Sequence, residues 1–225
     1  MCGRYTLSVP LSNLVDSFDV LPPEFEYPPR FNIAPTQDAP VIAQDSAGRR
    51  MGLLRWGLIP SWAKDPALGS RMINARSETI AGKPAYRSAF RRRRCLVPAD
   101  GFFEWRKGVE AQGKKGPKTP FWIHRVDGEP FAMAGLWEKW APEGGAPIFS
   151  FTIITTEAAP EIRDIHHRMP VILPVSAHGP WLDTSSSEAD LLPLLRPRGG
   201  GLHAYPVSTL VNSPRNDVRE CIDPV

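Results

Sequence analysis

Twenty-five prolines in 225 residues constrain this chain more than any other feature. Proline breaks a helix interior, and within a sheet it is confined to edges and bulges. Long helices are therefore not expected, and many short elements joined by structured loops are. The strand signals agree. Val41-Ile42-Ala43 and Met51 to Trp56 are β-prone runs separated by the turn sequence Asp45-Ser46-Ala47-Gly48. Arg94 to Val97 and Phe102 to Arg106 flank Pro98-Ala99-Asp100-Gly101. Phe121 to Val126 and Phe131 to Trp137 flank Asp127-Gly128, which predicts a hairpin with Trp122 and Trp137 in the core. Ile148 to Thr155 reads as a strand buried on both faces, and His203 to Val207 as a late return to the sheet. Helical spacing of Leu11, Leu14, Val15 and Phe18 predicts a helix over 11–18 with Ser8 as its cap, and Ser187 to Leu195 reads as helical despite Pro193. Leu21 to Pro40, with six prolines, predicts an irregular surface wrap. The expected fold is α+β: one β-rich domain over 1–225, with a barrel-like antiparallel or mixed sheet and a few short helices.

With 42% hydrophobic and 23% charged residues, the chain has an ordinary globular profile. It has no apolar run of membrane-spanning length and no signal-peptide pattern, so the expected location is cytoplasmic. Cys2, Cys95 and Cys221 are too few and too scattered for a disulfide framework or a metal knuckle, and no metal or cofactor is expected. Arg91-Arg92-Arg93-Arg94 forms one basic block and Lys114-Lys115 with Lys118 another. Such runs are most often solvated faces, although a net charge of +3 permits a polyanionic partner.

Four polar residues have chemistry to offer. Removal of Met1 exposes in Cys2 a thiol beside a free α-amine, which titrates near ~7.7–8.0, against ~10.4 for lysine. Such an amine attacks an aldehyde to form a Schiff base, and the thiol then closes a thiazolidine. The plainer reading of Cys2 is a small buried residue. Glu104, between Phe103 and Trp105, gains a raised pKa and general acid–base capacity if it points inward. Strand alternation alone would instead turn it to solvent. His166 suits proton transfer or a structural hydrogen bond, with His167 beside it as a rival. Asn74 can orient a polar substrate or cap a turn.

Met1-Cys2-Gly3-Arg4-Tyr5, Asn32-Ile33-Ala34-Pro35-Thr36, Arg55-Trp56-Gly57-Leu58-Ile59-Pro60, Ile73 to Glu78, Ala99 to Trp105 and Asp164 to Pro170 follow one another in this order. Together they resemble the SOS-response-associated peptidase family of abasic-site-processing proteins, from residue 2 to about Pro170, with a weaker echo at Pro206-Val207-Ser208 and Asn212. His167 and Tyr205 depart from the expected pattern. The resemblance implies a monomer that binds single-stranded DNA and captures abasic sites covalently, with replication-fork proteins as further partners. It implies Cys2 as nucleophile, Asn74 holding amine and opened sugar, Glu104 as acid–base and His166 assisting sugar ring opening. Arg4 and Arg76 would bind phosphates, and Trp62 would stack or wedge against a base. Three alternatives compete: an N-terminal-nucleophile peptidase or amidohydrolase, a non-enzymatic single-strand binder, and a Cys–His protease using Cys95 or Cys221.

Overall fold

The computed structural model describes residues 2–111 and 114–225. Met1 and the side chains of 109–115, Lys114 and Lys115 among them, lie outside the described residues. In chain order the first elements are β1 (Tyr5–Leu7), α1 (Leu11–Phe18), β2 (Arg30–Ile33), β3 (Asp38–Asp45), β4 (Gly48–Trp56) and β5 (Asn74–Arg76). Next come α2 (Arg87–Arg92), β6 (Arg94–Ala99), β7 (Gly101–Ala111), β8 (Lys114–Arg125), β9 (Phe131–Trp140) and β10 (Ile148–Glu157). The chain ends with β11 (Arg168–Pro170), β12 (Ile172–Leu173), α3 (Val175–Leu182), α4 (Glu188–Leu191) and β13 (Leu202–Pro206).

Strands β10, β4, β3, β6 and β9 pair in turn, and β9 pairs back to β10, closing a ring. A ring with an odd number of strands cannot alternate in direction all the way round. Here the parallel pair is β4 with β10, in register Ser150 to Arg55 and Phe151 to Trp56. Closure removes the exposed strand edges that an open sheet leaves. As expected, β10 is buried along both faces from Ser150 to Thr156. Trp56 stacks on Phe151 with centroids 6.3 Å apart, across that parallel pair.

The second sheet is antiparallel, in the order β13-β8-β7-β1-β2. One face packs on the barrel: Tyr5 meets Trp56 edge-on at 5.2 Å, and Phe102 meets Phe131 at 6.5 Å. Its other face carries Phe103, covered by Val207, Val211 and Cys221 of the C-terminal segment. The chain crosses from barrel to sheet at one residue, Asp100, between β6 and β7. Its buried carboxylate accepts from Thr6 Oγ1, from Ser8 N (2.5 Å) and Oγ (2.6 Å), and from Val9 N (3.1 Å). Gly101 follows because the Trp122 indole lies against its α-carbon, where a Cβ would sit 2.2 Å from Nε1.

Helix α1 spans the predicted residues, but Ser8 does not cap it: Pro10 holds the cap position without a side-chain bond, and Ser8 serves Asp100. The expected hairpin at Asp127-Gly128 does not form. Gly128 takes the left-handed turn conformation, yet β8 pairs with β7 and β13 while β9 joins the barrel. Nor is Leu21 to Pro40 irregular throughout, since it contains β2 and the start of β3. Asp217, far along the chain, pins β2 by accepting from Phe31 N (2.6 Å) and Asn32 N (2.9 Å).

The arginine block divides. Arg94 is buried, and its guanidinium donates to carbonyls of Phe90 (2.6 Å) and Arg91 (2.7 Å) in α2 and of Trp181 (2.6 Å) and Asp183 (2.5 Å) at the end of α3. A cation at two helix C-termini meets the negative ends of both dipoles. Arg93 pairs with Glu138 at 2.7 Å, whereas Arg91 and Arg92 are exposed. Hydrogen bonds to a charged group are worth about 1.5–3 kcal/mol. Arg94→Met should therefore lower the urea midpoint by an amount equivalent to about 3 kcal/mol with unchanged slope, and Arg94→Lys should recover less than half, because an ammonium lacks the planar fork.

Candidate active site

Strand β10 brings two separate motifs together. Beyond the barrel, its Thr155 pairs with Arg76 of β5 on one edge and with Pro170 of β11 on the other. Asn74 opens β5 in register with Ile153, and Tyr86 Oη donates to the Asn74 carbonyl (3.3 Å). His166 sits in the turn just before β11, its N–H donating to Ile162 O (3.1 Å). A bidentate ion pair couples the two segments: Arg168 holds Glu78 and also donates to Thr155 O (2.6 Å). Glu78 and Arg168 were visible inside two motifs, but nothing in the sequence pairs them.

The remaining two residues come from the second sheet. Tyr5 pairs with Phe102, and Phe103 N donates to Arg4 O (3.0 Å), so the residues before β1 run beside Phe103 and Glu104. Cys2 is fully buried, and its carbonyl accepts from Asn74 Nδ2 at 2.7 Å. Asn74 Oδ1 is buried without a hydrogen-bond partner among the described residues, leaving a polar acceptor beside the chain terminus. Glu104 is 2% exposed, so the expectation that alternation turns it to solvent fails. Alternation itself holds: Phe103 and Trp105 face the C-terminal segment and Phe102 faces the barrel. Both sides are simply covered.

Burial governs the electrostatics here. It raises the Glu104 carboxyl to about 7, so proton-bearing and ionised forms coexist near neutrality. Burial, and then the charge of Glu104, push the Cys2 thiol well above the ordinary cysteine range. His166 lies below its ordinary value, again through burial. Its Nδ1 is 3.7 Å from Glu104 Oε1, 3.0 Å from the N–H of Arg168 and 3.1 Å from the carbonyl of Arg168. A bare Nδ1 accepts from that N–H and a protonated Nδ1 donates to that carbonyl, so one backbone unit serves both tautomers. Cys2 with Asn74, and Glu104 with His166, thus form two contacting pairs linked by the effect of Glu104 on the thiol.

The other singled-out residues are more dispersed. Arg4 is half-buried and donates to Asn32 Oδ1 (2.9 Å), Val211 O (2.7 Å) and Asn212 O (3.3 Å), knitting the N-terminal strand to the C-terminal segment. Asn32 reinforces this through Val211, Ser213 and Asn216 carbonyls, and Trp105 Nε1 donates to Asn212 Oδ1 (2.8 Å). Arg76 is exposed. Trp62 is 61% exposed on the rim of a cavity of about 570 Å³ that Lys64 and Arg71 also line. Cys95 and Cys221 are buried, and the described residues contain no cluster of three or more metal-ligating side chains. No helix among them is long and apolar enough to cross a membrane.

The family model "SOS response associated peptidase (SRAP)" matches residues 1–214. The chain belongs to this family. A Bacillus subtilis relative called abasic site processing protein YoaM is 44% identical, over 99% of this chain and 98% of its own length. A Gallus gallus relative called abasic site processing protein HMCES is 35% identical, over 90% of this chain and 68% of its own length. A crystal structure of a Bacteroides thetaiotaomicron protein superposes with a TM-score of 0.86 at 27% identity, each chain covered completely.

The raised Glu104 value has a stability signature. The folded chain binds this proton more tightly than the unfolded chain, whose ordinary value is 4.5. The contribution is complete below pH 4.5, is lost as pH rises towards about 7 and is level above it. Urea unfolding across that range should show the wild type losing up to about 3 kcal/mol relative to Glu104→Gln, which has no such proton. Parallel pH profiles for the two proteins would contradict a buried, raised carboxyl.

Proposed function

We propose that this SRAP protein recognises abasic sites in single-stranded DNA and captures them through Cys2 once Met1 is removed, giving a thiazolidine crosslink that shields the strand. The observation that carries the reading is that Asn74 bonds the Cys2 carbonyl while Glu104, whose charge acts on the Cys2 thiol, stands 3.7 Å from His166, three residues from separate stretches of chain. The names of the relatives, abasic site processing proteins, point to the same lesion.

The closed abasic sugar must first open: His166 gives a proton to its ring oxygen as the C1′–O4′ bond breaks, and the anomeric hydroxyl gives up its own proton as the C1′ aldehyde forms, so that the exchange is neutral overall. The Cys2 amine then adds to the C1′ aldehyde, and Asn74, already bonded to the Cys2 backbone, orients amine and opened sugar. Glu104, poised at about 7, protonates the carbinolamine hydroxyl so that it leaves as water, forming the iminium. Because the buried thiol resists ionisation, the resulting carboxylate must take its proton as sulfur attacks C1′. That proton stays on Glu104 and restores its acid form, while the ring nitrogen keeps the hydrogen it carried in the iminium; the net change is one C–N bond, one C–S bond and one water lost. Sulfur addition removes the iminium electron sink that would otherwise drive β-elimination and strand cleavage. Reversal uses the same groups, so slow release is part of the reading, as is self-removal of Met1.

Arg4 and Arg76 bind phosphates through charge-assisted hydrogen bonds, and exposed Trp62 stacks on a neighbouring base, an interaction worth about 1–3 kcal/mol. Residues 1–225 act as one domain and as a monomer. DNA carrying the lesion is the partner, and replication-fork proteins would bring the two together at the nucleoid.

Intact mass after incubation with a single-stranded oligonucleotide bearing one abasic site tests this directly. The expected adduct equals protein plus DNA minus one water, survives heating, and is absent with Cys2→Ala. Cys2→Ser should give only a borohydride-trappable imine. Glu104→Gln should slow capture on the order of 10²-fold or more, the usual weight of general acid–base catalysis. No adduct from Met1-free wild type would overturn the reading in favour of an N-terminal-nucleophile amidohydrolase.

A further inference from the structure

A second cavity, of about 390 Å³, adjoins the proposed site and is lined by Arg76, Glu157, Ala158, Arg163, His167 and Arg168. It shares a wall with that site: the His166 and His167 rings lie 4.4 Å apart, and Arg76 stands two residues beyond Asn74 on β5. The cavity is built on a firm frame. Ala158 N donates to His167 O (3.0 Å), which closes the β10–β11 connection, and Arg76 and Arg168 are held against Thr155 and Glu157 by strand pairing.

The charges within it are unequal in availability. Arg168 is buried and its guanidinium is taken by Glu78 and Thr155. Arg76, Arg163 and His167 are exposed, and the ion pairs among the described residues include none of the three. Against them stands one carboxylate, Glu157. With Arg168 neutralised by Glu78, the cavity keeps an excess of positive charge even when His167 is neutral. Two guanidinium groups converging on an open cavity suit a phosphodiester, which accepts their paired N–H donors and needs no deep enclosure.

We propose that this cavity binds one phosphodiester of the DNA strand beside the abasic nucleotide, with Arg163 and His167 as phosphate-binding residues alongside Arg76. The proposal deepens the abasic-site reading and rests on it. It also divides the labour of the adjacent histidines: His166 faces Glu104 and the sugar, and His167 faces the backbone phosphate. Seating that phosphate next to His166 holds the sugar ring in place for opening.

The test uses Cys2→Ala protein, which binds without covalent capture, and single-stranded oligonucleotides carrying a tetrahydrofuran abasic analogue. Neutral methylphosphonate replaces the phosphates one position at a time, and affinity is read at fixed salt. One position should weaken binding about tenfold, consistent with losing a charge-assisted contact. In Arg163→Ala and His167→Ala backgrounds that same substitution should cost less than about threefold, while Arg163→Lys should keep an intermediate penalty. An unchanged penalty at every position in both alanine variants would overturn the proposal. Failure of the abasic-site reading looks different: either no DNA binding by the parent protein, which sinks both, or a normal methylphosphonate pattern with no crosslink from the Cys2 protein, which sinks only the chemistry.

Discussion

Closing a five-stranded ring is the constraint on which the rest of this structure depends. An odd ring must contain at least one parallel pair, and the chain meets that requirement with β4 and β10. The parallel strand has to be buried on both sides, and β10 is from Ser150 to Thr156. There its Ile and Phe side chains pack, the Ser150 hydroxyl accepts from Ile59 N and the Thr155 hydroxyl donates to Ala75 O. A one-residue slip of β10 would reverse its faces and, with them, the positions of Asn74 on β5 and His166 before β11. Barrel closure and site assembly are therefore one event, driven by apolar burial worth about 1.5–3 kcal/mol for each large side chain.

The site draws its electrostatic character from the same burial. A carboxylate in water has no reason to carry a proton at pH 7. Glu104 does so partly because the barrel lies on one side of β7 and the C-terminal segment on the other. That segment is held by Arg4, Asn32 and Trp105, none of which contributes a titrating group. Their bonds maintain the desolvation that makes Glu104 useful. Structural and chemical roles are thus interleaved within single motifs: in Ala99 to Trp105, Asp100 anchors the crossing between sheets, Gly101 admits the Trp122 ring, and Glu104 supplies the acid–base group.

Local signals in the sequence described local structure well. Helix α1, the β3–β4 hairpin and the helical stretch from Ser187 to Leu195 follow from spacing and turn chemistry, although the α-helix in that last stretch covers only Glu188–Leu191 and a 3-10 turn takes over around Pro193. Signals failed where a distant partner decided the outcome. Asp127-Gly128 supplies the turn but not the pairing, and β8 found β7 and β13 instead of β9. Within the proline-rich stretch before residue 40, β2 forms as an edge strand because it pairs with β1 and Asp217 accepts from its Phe31 and Asn32 amides. The four-arginine block looked like one charged face, yet Arg94 turned inward to serve two helix ends.

The chemical inventory was legible in the sequence: a cysteine beside the start methionine, an isolated glutamate among aromatics, a histidine pair and an asparagine in a short apolar run. Side-chain identity sets what a group can do, and neighbours along the chain suggest where it resides. What the tertiary structure alone decided is which groups meet and in which ionisation state. Glu104 lies next to His166 and acts on Cys2 only because two sheets pack, and its raised pKa exists only because packing removes water from both sides of one strand. Desolvation is a property of the assembled fold, and no stretch of sequence carries it by itself.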